Sequence, residues 1–246
     1  MNGCSLIDDS NNSVALNVGG SATVSALSVS TSGGVSGTSS ITATQGIATG
    51  QPPLPDPYAG TSVPSFSGCA QHNFSAKNTV TIDPGVYCGG MTLNAGANVT
   101  LNSGIYYLDQ GNLQVNGGAG ITGSGVTLVF TSSNGHNYAN ATINGGASID
   151  LSAPNSGPTS GMVMFGDPSM TAGTTFKFEG GATQILQGAV YLPEGAVSFA
   201  GGANTTTGCT QLIADTISFV GNSNFALNCQ GFGTKPLGSA LATLVE

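Results

Sequence analysis

The chain has 246 residues, only 6% of them charged, and its eleven acids against Lys77, Lys177 and Lys235, with no arginine, give a net charge of −8. That balance excludes a nucleic-acid or anionic-lipid surface, which needs clustered Lys and Arg. No run approaches ~18 consecutive apolar residues, so no helical bilayer span is expected, and the regular alternation of Val, Ile, Leu and Phe excludes a disordered chain.

In chain order, Met1-Asn2-Gly3-Cys4 lacks the basic start and apolar core of a signal peptide. It reads as a start downstream of removed sequence. Residues 14–49 are rich in Ser, Thr and Gly and alternate weakly, as in Ala22-Thr-Val24-Ser-Ala-Leu27. They are expected to form short strand coils continuous with the repeats downstream. Gly50-Gln-Pro-Pro-Leu-Pro-Asp-Pro57, running on to Pro64, can be neither helix nor central strand and favours a stiff polyproline strap.

Repeats dominate from Phe66 to Cys229. Gly-Gly-Ala follows a short alternating stretch four times, ending at Ala119, Ala147, Ala182 and Ala203, with looser copies ending at Ala97, Ser223 and Ser21. From Ala97 to Ser223 the spacings are 22, 28, 35, 21 and 20 residues. Units this short cannot bury an apolar face alone and must stack. A second phrase alternates with the first: Pro84-Gly85-Val-Tyr87-Cys88, Ser103-Gly104-Ile-Tyr106-Tyr107, Ser124-Gly125-Val126, Gly161-Met-Val-Met-Phe165 and Gly188-Ala-Val-Tyr191. Its less alternating, more apolar runs suit a strand buried on a crowded face.

The expectation is therefore an all-β fold, a single-stranded parallel β-helix (solenoid) of right hand with about 20–22 residues per coil. Residues 1–49 would supply the first coils, 50–64 the strap, 65–230 the main β-helix and 231–246 a tail or cap. Insertions at Thr131 to Ala139 and Ala153 to Thr175 are expected to project as loops, where binding residues tend to lie.

Cys69 and Cys88 are 19 residues apart and Cys209 and Cys229 are 20, close to one repeat in each case. Neighbouring coils lie roughly 4.8 Å apart, inside the Cα separation that a disulfide tolerates. Each pair is expected to clip adjacent coils, the alternative being buried free thiols. Disulfides place the chain in an oxidising compartment: periplasm, cell surface or medium. Cys4 is left over.

Candidate chemistry is sparse. The carboxylates are scattered and form no acid-rich motif, which argues against a glycoside-cleaving site. His72 and His136 fall in loops, in no metal-binding spacing, and Asp8-Asp9 lacks a calcium-loop pattern. The pairs Thr42/Thr44 and Thr79/Thr81 are too few for an ice-binding array. Asn94, Asn116 and Asn144 hold the same place before their glycines, which suits a structural amide ladder and the tolerance of Asn for left-handed backbone. Tyr87, Tyr106 and Tyr191 recur in the second phrase, as an interior stack or as an exposed stripe that binds sugar rings. No catalytic residue, cofactor or metal site is assigned.

The run Asp83-Pro-Gly-Val-Tyr-Cys-Gly-Gly-Met-Thr-Leu93, with Gly96-Ala97, Leu151-Ser-Ala-Pro154, Cys209-Thr-Gln-Leu-Ile-Ala-Asp215 and Leu244-Val-Glu246, resembles TadG-like proteins. These belong to the tight-adherence (Flp) pilus systems of Gram-negative bacteria. The resemblance covers nearly the whole chain and implies an exported, pilus-associated or surface-exposed role, with no defined reaction. Expected partners are other pilus or envelope proteins, or the chain itself in a filament. The rival reading is a carbohydrate-binding or polysaccharide-degrading β-helix.

Overall fold

The structure, a computed structural model, describes residues 5–20, 22–179, 183–200, 204–205, 210–220, 224–225 and 233–236. Among them the protein is all-β: twenty-three strands and a single 3-10 turn, Thr38–Ser40. Among the described residues no helix is long and apolar enough to cross a membrane. The chain divides into two compact units, Met1–Thr61 with Lys235–Glu246, and Ser62–Thr234.

The first unit holds β1 (Ser5–Asp8), β2 (Leu16–Asn17), β3 (Val24–Ala26), β4 (Ser28–Thr31), β5 (Val35–Ser36), β6 (Ile41–Ala43) and β7 (Ile47–Ala48). All its pairings are parallel: β1 with β4 and β4 with β7, β2 with β5, β3 with β6. Leu6, Val29 and Ile47 thereby fall in one ladder. Tyr58 is fully buried. Its hydroxyl accepts the Lys235 backbone N–H at 3.0 Å, and the Lys235 ammonium stands 4.9 Å from the ring centre, a cation–π contact. Burial, with a smaller push from Asp56, outweighs that hydrogen bond and raises the phenol pKa.

The second unit begins with β8 (Gln71–Ala76), β9 (Thr79–Ile82), β10 (Gly85–Leu93), β11 (Asn98–Leu101), β12 (Gly104–Asp109), β13 (Leu113–Val115), β14 (Gly120–Ser124) and β15 (Val126–Thr131). It continues with β16 (Ala141–Ile143), β17 (Ser148–Ser152), β18 (Met162–Gly166), β19 (Thr174–Phe178), β20 (Thr183–Ala200), β21 (Asn204–Thr205), β22 (Thr210–Val220) and β23 (Asn224–Phe225). Burial follows the sequence pattern. In β11, Val99 and Leu101 point inward while Asn98 and Thr100 face out, the period of two of a half-covered strand. β15 and β18 are buried at every position, as expected of parallel strands covered on both faces.

The pairings correct the expected fold class. β18, β15, β12, β10, β13, β16, β19 and β20 succeed one another in parallel pairs, and β20 then pairs back onto β18. This ring closure overturns the open, right-handed, single-stranded β-helix of 20–22-residue coils. The unit is a closed, eight-strand parallel β-barrel with further strands attached: β8 on β10, β22 on β20, and β17, β14, β11 and β9 in succession from β20. The physical reason lies in two long strands. β10 continues through Gly89-Gly90 and β20 through Pro193-Glu194-Gly195 instead of breaking there, and each pairs on both arms of its bend.

Successive repeats nevertheless pair in sequence order. Asn98 faces Gly120, Gly120 faces Ser148, Ser148 faces Thr183, Thr183 faces Asn204 and Asn204 faces Asn224. The steps are 22, 28, 35, 21 and 20 residues, the spacing of the Gly-Gly-Ala corners. Each described corner is a turn closed by an Ala N–H on the Asn carbonyl three residues back, at 2.9 Å for Ala97 and Ala119 and 3.0 Å for Ala147. The left-handed residue in each is the glycine, Gly96, Gly118 or Gly146, at φ 81, 77 and 77°, as a type II turn requires. These asparagines are therefore not left-handed; among the described non-glycine residues that backbone belongs to Asn73, Gln110 and Asn137.

The interior is apolar and aromatic. Leu93, Leu113, Ile121, Leu128, Phe130 and Phe178 are all but fully buried, each contributing about 1.5–3 kcal/mol on removal from water. Phe178 stacks on Phe199 at 4.8 Å, and Phe199 on the exposed Phe219 at 5.3 Å.

A candidate functional site along one polar corner

Of the sequence-picked cysteines, Cys69 and Cys88 form a disulfide with a Cα–Cα distance of 5.7 Å. Cys4, Cys209 and Cys229 lie outside the described residues, so the pairing expected of the last two is not described. The bonded pair marks one end of a line of polar side chains along a single corner of the second unit. In register, His72 of β8 faces Cys88 of β10, Cys88 faces Asp109 of β12, and Asp109 faces Thr131 of β15. Thr131 Oγ1 donates to Asp167 Oδ2 at 2.6 Å, just past β18.

Parallel strands place register partners side by side on one face, about 4.8 Å apart, so these groups interact along the corner. A nitrogen of His72 and the two sulfurs lie within 4.8 Å of one another, and Asp109 Oδ2 lies 3.8 Å from Cys88 Sγ. Cys69 and His72 are exposed, Cys88 is half-buried, and Asp109 is 5% exposed. A buried carboxylate needs hydrogen-bond donors. Asp109 has the Ser133 backbone N–H at 2.7 Å, the Ser133 hydroxyl at 2.8 Å and the Gln110 amide at 3.4 Å.

Those bonds fix the base of the loop 132–140, the expected insertion displaced by one residue. Gln110 Nε2 donates to Ser133 Oγ at 2.8 Å, and Asn134 Nδ2 donates to Gln110 Oε1 at 2.9 Å. Asn140 N donates to Asn112 Oδ1 at 3.1 Å. Asn134 Oδ1 and Ser132 Oγ both accept the His136 N–H, at 2.9 and 3.1 Å, and Asn137 is held at φ 53°. The second expected insertion is not one loop. Met162–Gly166 within it is the buried strand β18, and the residues facing loop 132–140 come from 167–173 and the start of β19. There Ser169 N donates to Asp167 Oδ1 at 2.9 Å and Thr174 Oγ1 to Thr171 O at 2.6 Å.

Between the two loops lies a cleft of about 470 Å³, walled by His136, Asn137, Tyr138 and Asn140 on one side and Thr171 and Thr174 on the other. None of its lining residues is an acid, a lysine or an arginine. Its chemistry is that of amides, hydroxyls, an imidazole and one phenol ring. Tyr138 is partly buried, with its ring against the core.

The remaining sequence-picked residues lie elsewhere. Asn144 Nδ2 donates to Asn116 Oδ1 at 3.1 Å, whereas Asn94 Nδ2 donates to Ala76 O at 2.8 Å and Ser75 Oγ at 3.0 Å. Tyr87, Tyr106 and Tyr191 are buried at 2, 0 and 3% exposure, which removes the exposed sugar-binding stripe. The interior stack is met in part: the Tyr87 and Tyr106 rings lie 5.7 Å apart between centres, although Tyr87 faces Leu108 and Tyr106 faces Gly85 and Leu128 in register, while Tyr191 lies against Phe165. Tyr87 donates to Asp83 O at 2.7 Å, and the Tyr106 hydroxyl lies 2.8 Å from the Ile82 and Asn102 carbonyls. Burial, then Asp83, pushes the Tyr87 pKa up to about 12. Tyr106 is raised further, first by burial and then by Tyr87. Asp8 Oδ1 accepts Ser10 N and Asp9 Oδ1 accepts Leu54 N, ordinary loop bonding.

Sequence reasoning missed Asp109 and Asp167 as site residues, whereas the cleft residues, Asn140 aside, fall within the two insertions expected to carry binding loops, His136 among them. Aligning the second phrase on its Gly-x-Tyr places Tyr87 against Tyr106. The true register is offset by two residues, and only that offset brings His72, Cys88, Asp109 and Thr131 into line.

No family model matches the chain, and no curated protein or solved structure shows significant similarity to it. The resemblance to TadG-like proteins rests on the quoted residues alone.

Proposed function

We propose that the chain is a non-enzymatic, exported adhesive or structural surface protein, serving pilus assembly or cell attachment as the resemblance to TadG-like proteins implies. The observation that carries the adhesive part is the cleft between loops 132–140 and 167–173, set on a rigid parallel framework and braced by buried Asp109. Binding residues on loops held by a stiff scaffold are a common arrangement for recognition. The Cys69–Cys88 disulfide supports export, because such bonds persist in oxidising compartments.

The experiment is attachment of beads coated with the oxidised full chain to bacterial cells. Replacing residues 132–140 with the three-residue connection used at 110–112 should reduce attachment to the level of uncoated beads. Equal attachment by both proteins would remove the cleft from the function.

A second reading, carbohydrate binding, is favoured by one observation: a cleft without acids, lysine or arginine that offers amide and hydroxyl groups beside Tyr138 suits a neutral sugar. Affinity electrophoresis through gels containing a neutral glucan or a galactomannan tests it. Retardation that Tyr138→Ala abolishes supports this reading, and unchanged mobility in every gel rejects it.

A further inference from the structure

We infer that Cys69, His72 and Cys88, with Asp109 as the fourth donor, form a redox-gated site for one zinc-like cation, closed while the disulfide is intact and opened by a dithiol reductant.

Four observations carry this. The two sulfurs and an imidazole nitrogen lie within 4.8 Å of one another. Tetrahedral zinc, with Zn–S near 2.3 Å and Zn–N near 2.0–2.1 Å, sets its ligand atoms roughly 3.5–3.8 Å apart, so imidazole and sulfurs need only a small contraction, while the sulfurs separate once their bond is broken. The positions are built by register: His72, Cys88 and Asp109 are consecutive partners across β8, β10 and β12, which directs their side chains to one face. Asp109 Oδ2 already lies 3.8 Å from Cys88 Sγ, and Ser133 holds the carboxylate in place from behind, the outer-shell support that orients metal-binding carboxylates. Cys69 and His72 are exposed, which leaves an entry path for both reductant and ion.

The reaction balances. A reduced dithiol transfers two electrons and two protons to the disulfide, giving the Cys69 and Cys88 thiols and an oxidised cyclic disulfide. Metal binding then releases the two thiol protons to solvent. The site takes a borderline or soft divalent ion because thiolate and imidazole select such ions over magnesium or calcium.

The test is titration of the full chain with cobalt(II) under anaerobic conditions, before and after reduction, followed by displacement with zinc. The reduced protein should develop thiolate-to-cobalt charge-transfer and tetrahedral d–d bands that saturate with one equivalent more than the Cys69→Ser/Cys88→Ser variant binds. Zinc should bleach them and the oxidised protein should lack them. His72→Ala, a change at an exposed position, should weaken binding by at least about tenfold, and Asp109→Asn should shift the d–d bands. Bands of equal intensity in the reduced protein and the double-serine variant would belong to other cysteines and overturn the inference. So would a His72→Ala protein that binds cobalt as tightly as the parent.

Discussion

Gly111 lies against the backbone of Gly89, so close that a Cβ on Gly111 would stand 2.0 Å from the Gly89 carbonyl carbon. This contact packs one polar corner on the next, and neither partner has a flexible side chain to move aside. Gly111→Ala is expected to lower stability by about 3 kcal/mol or more, the upper end of overpacking costs. Gly96 is the contrast: its φ is +81°, yet a Cβ there meets nothing within 4 Å, so Gly96→Ala should cost only about 1–2 kcal/mol of backbone strain. Urea unfolding of both variants measures the difference. Equal losses would show that backbone conformation, not crowding, governs both corners.

Reduction of Cys69–Cys88, which closes a 19-residue separation, should cost about 3 kcal/mol. Cys69→Ser/Cys88→Ser compared with the oxidised parent in denaturant reads this bond alone. A midpoint that does not move would mean that the bond adds nothing to the stability of the second unit.

Gln184 is fully buried, and neither amide atom has a hydrogen-bond partner among the described residues. An unsatisfied buried amide costs about 1–3 kcal/mol. Gln184→Leu, close in volume, should therefore raise the thermal midpoint. Gln184→Ala should lower it by opening a cavity. Destabilisation by the leucine variant would show that the amide is bonded in solution.

The tyrosines give an alkaline limit. Tyr87 has its folded pKa raised from 10.0 to about 12, so the folded state holds its proton more tightly than the unfolded state does. The stabilisation is fully present below about pH 10 and is lost as pH rises toward 12; Tyr106 acts in the same direction. Thermal midpoints should be flat from pH 8 to about pH 10 as far as these groups govern them, and then fall. Phenolate absorbance should appear with unfolding. Tyr87→Phe should make the fall shallower, and an unchanged slope would assign it to other groups.

Asp109→Ala removes the acceptor of both Ser133 bonds. A loss of about 1–3 kcal/mol is expected, together with faster proteolytic cleavage within 132–140. Unaltered cleavage would place the bracing of the loop in Gln110 and Asn112 instead.

The two repeated phrases were not equally legible in the sequence. The Gly-Gly-Ala corner marks register faithfully because only glycine meets the positive φ at the third turn position, and Asn98, Gly120 and Ser148 come directly after those corners. The Gly-x-Tyr phrase misleads because its glycines, alike in backbone at φ 156° and 143°, are not register partners. Gly85 lies opposite Tyr106, and Gly104 lies opposite Val126. Ring closure was hidden for a related reason: whether a strand breaks or bends at a corner depends on pairing partners far along the chain, and Gly89-Gly90 within β10 reads like any other turn. Asp109 was illegible as a site residue because its meaning lies in Ser133, 24 residues on, and Cys88, 21 residues back. Cys69–Cys88 was legible because one repeat separates its members.

Residues 132–140 add six positions to the step between Gly120 and Ser148 relative to that between Asn98 and Gly120, 28 against 22, without shifting the register of either strand. Length at this edge is thus uncoupled from the pairing beneath it. Evolution can vary what is displayed beyond Ser133, the donor to buried Asp109, at little structural risk, and an engineer who keeps that serine could graft foreign peptides at the same position.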